Sequence, residues 1–283
     1  MPFSLGPFAL LGLMSLVSAC APLDALDRLV PYDGYTVRPD QGYGDHSRQV
    51  LDVYRPAEPE SFSATAPVIV FFYGGSWRKG ERQQYRFVGQ ALAEAGYTVV
   101  IPDYRLYPEV RFPAFVEDGA SAVAWTARTF PDRRIILMGH SAGAHIAALI
   151  GLDRGYLDAV GLDQTRVSAV VGFAGPYAFD PQEYRSTRAV FADWSGSADD
   201  LTPIRTADQA SGPALHLLHG EDDTTVYPVN TKRLVERYQS LGGEAAPYWL
   251  ADVGHIGIIL DFAKPFRSEE GSFALTLDIL RDL

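Results

Sequence analysis

The stretch from Arg134 to Ile150 constrains this chain more than any other. Arg134-Ile135-Ile136-Leu137-Met138 is an apolar run of strand length, Gly139-His140-Ser141-Ala142-Gly143 follows without a loop, and Ala144-His145-Ile146-Ala147-Ala148-Leu149-Ile150 continues in helix-favouring residues. A strand that passes straight into a helix through Gly-x-Ser-x-Gly makes a tight, strained turn, and the serine hydroxyl is lifted clear of the backbone at the sheet's edge. A side chain at either glycine would collide with the neighbouring strand or helix. In isolation such a motif can be an ordinary turn. It gains chemical meaning when an acid, a histidine and free backbone donors occur in suitable places around it.

Those partners are present. Upstream, Ala66-Pro67-Val68-Ile69-Val70-Phe71-Phe72 reads as a buried strand ending in Tyr73-Gly74-Gly75-Ser76-Trp77, where a glycine pair can aim backbone amides at a developing oxyanion. Downstream, Pro213-Ala214-Leu215-His216-Leu217-Leu218 ends in His219-Gly220-Glu221-Asp222-Asp223, which puts carboxylates on a loop after a strand. The strand candidate Ala246-Pro247-Tyr248-Trp249-Leu250 precedes Asp252-Val253-Gly254-His255, and His255 is the only histidine after the acidic loop. The chain order Ser, Asp, His differs from the orders used on the chymotrypsin and subtilisin folds. Asp222 and Asp223 both remain candidates for the acid at this level, because neighbours on a loop point in different directions.

The remaining elements alternate. Gln49-Val50-Leu51-Asp52-Val53-Tyr54 has the polar-apolar alternation of an antiparallel edge strand. A helix is expected over Gln83–Ala95, stopped by Gly96, then a buried strand Tyr97-Thr98-Val99-Val100-Ile101. Phe115–Phe130 is a second crossover helix, Ser168–Phe173 a further strand, and Asn230–Leu241 a helix stopped by Gly242-Gly243. Strands alternating with helices imply a mostly parallel doubly wound sheet with its site at the carboxyl ends of the strands. Residues 175–212 break the alternation and carry Tyr177, Phe179, Tyr184, Phe191 and Trp194. That insertion is read either as a small lid over the serine or as an aromatic pad packed on the sheet edge.

Taken together, these motifs resemble the bacterial α/β-hydrolases of the hormone-sensitive-lipase-like and feruloyl-esterase or kynurenine-formamidase-like group, over roughly residues 46–283. The likeness rests on Tyr73-Gly74-Gly75-Ser76-Trp77, on Asp103-Tyr104-Arg105-Leu106 with Phe112-Pro113-Ala114, on the Ser141 turn, and on His219-Gly220-x-x-Asp223 with Gly254-His255. One departure is plain: Tyr73 stands where the group has histidine, which points to altered loop packing or substrate fit. The resemblance implies an α/β-hydrolase fold and a serine hydrolase cutting carboxylic esters, small or aryl-substituted. Its His-Gly-x-x-Asp spacing selects Asp223. Ser141 would be the nucleophile, His255 the base, and the amides of Gly75, Ser76 and Ala142 the oxyanion donors. Tyr73, Gly74 and Trp77 would border the substrate. An aryl-formamidase or other amidase would use the same triad, a dipeptidyl-peptidase-like enzyme would need a second domain that is missing, and a non-catalytic binding protein would normally have lost a triad member.

Composition narrows the partners. With 47% hydrophobic residues the 283-residue chain can bury one large core, and its net charge of −11 would repel nucleic acid and anionic membrane surfaces. Met1–Val17 is apolar, and Leu16-Val17-Ser18-Ala19-Cys20 resembles the lipobox at which bacterial lipoproteins are cut and acylated. The stretch is short for the ~20 residues that span a bilayer. Residues 1–19 are therefore expected to be a signal peptide, Cys20 a lipidation site, and 20–45 a tether or first surface strand before a catalytic domain over 46–283. An uncleaved anchor or plain secretion are the other readings, and the n-region has no Lys or Arg before Arg28. A membrane would be met through that N-terminal lipid only. His140 and His145 lie too close to Ser141 in the chain to act as its base, His216 reads as a core residue, and His219 is expected to order the acidic loop. No cluster has metal-ligand spacing and no glycine-rich loop has phosphate-binding spacing, so neither metal nor cofactor is expected.

Overall fold

A computed structural model describes residues 33–58, 66–207 and 212–283. The expected signal peptide, Cys20 and the first half of the tether lie outside the described residues. The elements are, in chain order, β1 (Tyr35–Gly42), β2 (Val50–Pro56), β3 (Val68–Phe72), α1 (Arg86–Glu94), β4 (Thr98–Pro102), α2 (Ala114–Thr129), β5 (Ile135–His140), α3 (Ala142–Leu152), α4 (Arg154–Ala159), β6 (Val167–Phe173), α5 (Pro203–Thr206), β7 (Ala214–Gly220), α6 (Val229–Ser240), β8 (Ala245–Leu250), α7 (Gly257–Leu260) and α8 (Ser272–Asp282).

The strands form one eight-stranded sheet in the order β1-β2-β4-β3-β5-β6-β7-β8. β1 pairs antiparallel with β2, β2 antiparallel with β4, and all other neighbours are parallel. A parallel sheet joined by crossover helices is covered on both faces, which is why β3, β4 and β5 read as unbroken apolar runs and are buried throughout. The chain steps outward from β3 to β4 and then returns to the other side of β3 for β5. That reversal opens a crevice at the carboxyl ends of β3 and β5, the place where ligands sit in sheets of this kind. Both the Tyr73 loop and the Ser141 turn emerge there.

Two expectations need correction. The strand at Gln49–Tyr54 is antiparallel, but it is not the edge: Tyr35–Gly42, assigned by the alternative reading to a first surface strand, pairs along its outer side. Its alternation is lost because both faces are covered, with the Tyr54 ring packed against Gly89 of α1. His216 is half-buried rather than in the core, because the outer strand β8 covers it incompletely; its Nδ1 lies 3.1 Å from the Tyr248 hydroxyl.

Among the described residues of the insertion over 175–212, the aromatics fall into two settings. Tyr177 and Phe191 are fully buried, while Phe179 and Tyr184 face the crevice. The Phe112 amide donates to the Val190 carbonyl at 3.0 Å, which ties the insertion to the loop before α2. Among the described residues, no helix is long and apolar enough to cross a membrane.

Candidate active site

Ser141 joins β5 to α3 with φ 55° and ψ −121°, a region in which a side chain is strained. The turn closes only because its neighbours lack Cβ atoms. A Cβ on Gly139 would lie 2.4 Å from the Gly143 carbonyl oxygen, and one on Gly143 would lie 2.0 Å from that of Phe72. The strain is stored where the hydroxyl must be displayed.

His255 arrives on the loop after β8. Its Nε2 lies 2.9 Å from Ser141 Oγ and its Nδ1 2.7 Å from Asp223 Oδ2. Asp223 sits after β7, buried, whereas its neighbour Asp222 is exposed. The other carboxylate oxygen, Oδ1, accepts from the amides of Thr225 at 2.8 Å and Val226 at 2.9 Å. Burial on its own would raise the pKa of this carboxyl, but hydrogen bonds from His219, His255 and the Val226 amide outweigh it and hold Asp223 well below the usual carboxylate range. An ionised Asp223 fixes the proton of His255 on Nδ1, leaving Nε2 as an acceptor for the serine hydroxyl. His219 orders this loop: its Nε2 donates to the Val226 carbonyl at 2.8 Å and its Nδ1 lies 2.7 Å from Thr231 Oγ1.

His140 does more than the sequence suggested. Its Nε2 donates to the His255 carbonyl at 2.9 Å, and the two rings lie 4.9 Å apart. Burial, reinforced by the neighbouring His255, pushes His140 down to about 3, so it is neutral at ordinary pH. It therefore braces the backbone of His255 without adding charge beside it. The x position of Gly-x-Ser-x-Gly carries no periodicity, so nothing in the sequence signalled this contact.

The loop after β3 supplies the donors. Gly75 at φ 131°, Ser76 at 54° and Trp77 at 58° all have left-handed backbone, which turns successive amides off the strand direction. Among the described residues, the amides of Gly75, Ser76 and Ala142 donate to no protein acceptor. Gly74 packs so tightly that an added Cβ would lie 3.1 Å from Ser141 Cβ and 3.1 Å from His140 Nδ1; it is buried and, unlike its expected place at the substrate, is not among the residues that line the pocket.

Tyr73 does not border substrate either. It is fully buried, stacked on Tyr104 at 4.6 Å between ring centres, with its hydroxyl donating to Asp103 Oδ1 at 2.9 Å and accepting from Arg48 Nη2 at 2.8 Å. The aromatic ring points away from the crevice because its strand register sends it into the core. Arg82 completes the support: its guanidinium meets Asp52 at 2.8 Å and Asp103 at 2.5 Å. Asp103 belongs to a motif already conspicuous in the sequence; Arg48 and Arg82 belong to none. Trp77, in contrast, does line the pocket, beside a parallel Phe179 ring. The pocket holds about 300 Å³ and is bordered by Ser141, Ala142, Trp77, Phe179, Tyr184 and Tyr227. Tyr184 and Tyr227 form an exposed aromatic mouth.

A parallel sheet with a strained serine turn at its switch point, and with His and Asp following on later loops, defines an α/β-hydrolase. Residues 51–238 match the BD-FAE family, and the chain belongs to it. It is 34% identical over 254 residues to the esterase LipC of Mycobacterium tuberculosis, covering 78% of this chain and 60% of that protein. It is 30% identical over 207 residues to a probable isoprenylcysteine alpha-carbonyl methylesterase of Oryza sativa subsp. japonica, covering 65% of this chain and 49% of that one. The chain thus spans about half to three fifths of the length of these relatives. Among solved structures, esterase B of Lactobacillus rhamnosis superposes with a TM-score of 0.76 at 20% identity, covering 93% of this chain and 90% of its own. A truncated carbohydrate esterase from gut microbiota gives 0.74 at 19%, covering 89% and 98%. At such identities these two likenesses speak for the fold.

Proposed function

We propose that this protein is a serine hydrolase acting on carboxylic esters. The observation that carries the reading is the unbroken hydrogen-bonded chain from Asp223 through His255 to Ser141, in a pocket also lined by Ser76 and Ala142, whose amides donate to no protein acceptor among the described residues. The relatives' names, esterase and methylesterase, support the same chemistry.

In this reading Ser141 Oγ attacks the acyl carbonyl as His255 Nε2 takes its proton, and Asp223 stabilises the imidazolium without accepting that proton itself. The carbonyl oxygen, now anionic, is held by the amides of Gly75, Ser76 and Ala142. His255 returns the proton to the departing alcohol, leaving an acyl-enzyme. Water deprotonated by His255 then attacks the acyl carbon, and Ser141 leaves with the proton restored. A pocket of about 300 Å³ is at the low end for a small-molecule site, and its aromatic walls suit a small or aryl-substituted ester.

The test is Ser141→Ala. Turnover of a 4-nitrophenyl acyl ester should fall by about a millionfold, as when a serine nucleophile is lost elsewhere, and labelling by a fluorophosphonate probe should vanish while the circular dichroism spectrum is unchanged. Retention of most of the turnover would falsify the assignment. Parallel assays on an ester and an anilide sharing one acyl group measure how far the same site acts on amides.

A lipid anchor on Cys20 is proposed from Leu16-Val17-Ser18-Ala19-Cys20 alone. Acylation at more than one position would hold the mature protein on a bacterial membrane without a spanning helix. Mass spectrometry of the native N-terminus tests it: an acylated Cys20 is expected, and an unmodified one on a soluble native protein would leave plain secretion.

A further inference from the structure

The chain carries a net charge of −11, yet three of the residues that line the groove beside the catalytic pocket are basic. An open groove of about 740 Å³ is lined by Arg78, Lys79 and Arg185, and it shares Ser76, Tyr184 and Ser186 with the catalytic pocket. A bound ester can therefore extend from one into the other. Among the described residues, no Asp or Glu lines the groove; the acids nearest in sequence, Glu81 and Glu183, are exposed outside it. Among the described residues, Arg78, Lys79 and Arg185 form no ion pair, whereas Arg48, Arg82 and Arg105 each face an aspartate.

Their placement is built into the loop of unpaired amides. The Gly75 carbonyl accepts from the amides of Arg78 at 3.1 Å and Lys79 at 3.2 Å, so one turn fixes both cations relative to the Gly75 and Ser76 amides. The Arg78 guanidinium lies 4.3 Å from the centre of the Tyr107 ring, which steadies it without neutralising it. Arg185 comes from the opposite wall, on the insertion. Scattered solvating charge on an acidic protein would be interspersed with acids; here basic residues from two segments line one groove that has no acid among the described residues.

We propose that the groove is a subsite for an anionic group, such as a carboxylate, carried by the ester substrate. This rests on the esterase reading of the adjoining pocket. An exposed ion pair contributes up to about fivefold in affinity, so cations acting together give a preference of about tenfold at low salt, and screening removes most of it at high ionic strength.

Two matched pairs test it. In 4-acetoxybenzoate against its methyl ester, the charge rides on the departing alcohol; in mono-4-nitrophenyl adipate against its methyl ester, it rides on the acyl group. For each pair the ratio of kcat/KM, anionic over neutral, is compared between the parent and Lys79→Gln/Arg185→Gln, which cancels intrinsic reactivity. A fall of about tenfold in at least one ratio, with a similar fall in the parent on raising salt, is expected. The responding pair identifies the half of the ester lying in the groove, and unchanged ratios in both pairs overturn the subsite. Failure to hydrolyse any of the four esters would instead count against the esterase reading. The subsite is then judged by calorimetric Kd values on Ser141→Ala: tighter binding of the anion that Lys79→Gln/Arg185→Gln weakens supports it, and equal binding of each pair overturns it.

Discussion

Removing one oxygen atom behind the donor loop, with Tyr73→Phe, probes what the tyrosine does in place of the group's histidine. The hydroxyl is fully buried and makes two hydrogen bonds, to Asp103 at 2.9 Å and from Arg48 at 2.8 Å. A hydrogen bond to a charged partner contributes about 1.5–3 kcal/mol. The two losses do not simply add, because each partner keeps others. Arg48 still donates to the carbonyls of Tyr104 and Gly80, both at 2.8 Å, and Asp103 still accepts from the Arg82 amide at 2.8 Å and its guanidinium at 2.5 Å. The phenylalanine ring retains the stacking on Tyr85 and Tyr104, so no sizeable cavity forms. The net loss is therefore about 1.5–3 kcal/mol, which for a chain of this size lowers Tm by about 3–12 °C. Because Gly74, Gly75 and Ser76 follow directly, a loosened Tyr73 should also misplace the amides, lowering kcat by about three- to thirtyfold with a smaller change in KM. Calorimetry and steady-state kinetics on the parent and variant measure both. A Tm within about 1 °C of the parent together with unchanged kcat would refute the supporting role, since neither the buried pair nor the loop would then depend on the hydroxyl.

Two further outcomes follow from the site. Asp223→Asn should lower kcat by about four orders of magnitude, the scale of a lost triad aspartate, whereas exposed Asp222→Asn should stay within about threefold; the opposite ranking would transfer the acid role to Asp222. His140 and His145 are held down to about 3 and 4, first of all by burial. As pH falls below about 6.5 the unfolded chain binds protons that the folded one refuses, so the stability present at neutral pH should decline by about 1.4 kcal/mol per pH unit for each histidine until the folded values are reached. Asp223, also lowered in the fold, adds its own loss only below about pH 4. Urea unfolding at pH 7, 6 and 5 measures the slope, and a flat profile would mean that neither histidine is buried neutral.

The parts of the site legible in the sequence are those the backbone enforces. Gly139 and Gly143 are required because carbonyl oxygens stand where their Cβ atoms would be, and buried parallel strands such as Val68–Phe72 must read as unbroken apolar runs. Adjacent Asp222 and Asp223 look alike in sequence, and the Asp223 preference came from the family's spacing; burial and the Thr225 and Val226 amides separate them in the fold. The resemblance puts Tyr73 and Trp77 together at the substrate, yet the left-handed residues Gly75 and Ser76 turn the chain between them, so that one enters the core and the other the pocket. Phe179, Tyr184 and Tyr227 come from segments without period, where no pattern distinguishes a pocket wall from a surface aromatic.

This division has a physical consequence for how such a site changes. Donor amides need only backbone shape, so side chains on the same turn are free of the chemistry they stand beside. Gly75 must adopt φ 131°, but the Arg78 and Lys79 amides that close the turn on its carbonyl would do so with almost any side chain attached. Those two positions can therefore take charge without disturbing the amides, and Arg185 can do likewise from an insertion tied down elsewhere through Val190 and Phe112. Substrate charge preference is then adjustable independently of the serine, histidine and aspartate. Retained turnover of neutral esters across substitutions at Arg185, with only the anionic ratio moving, is the pattern this independence requires.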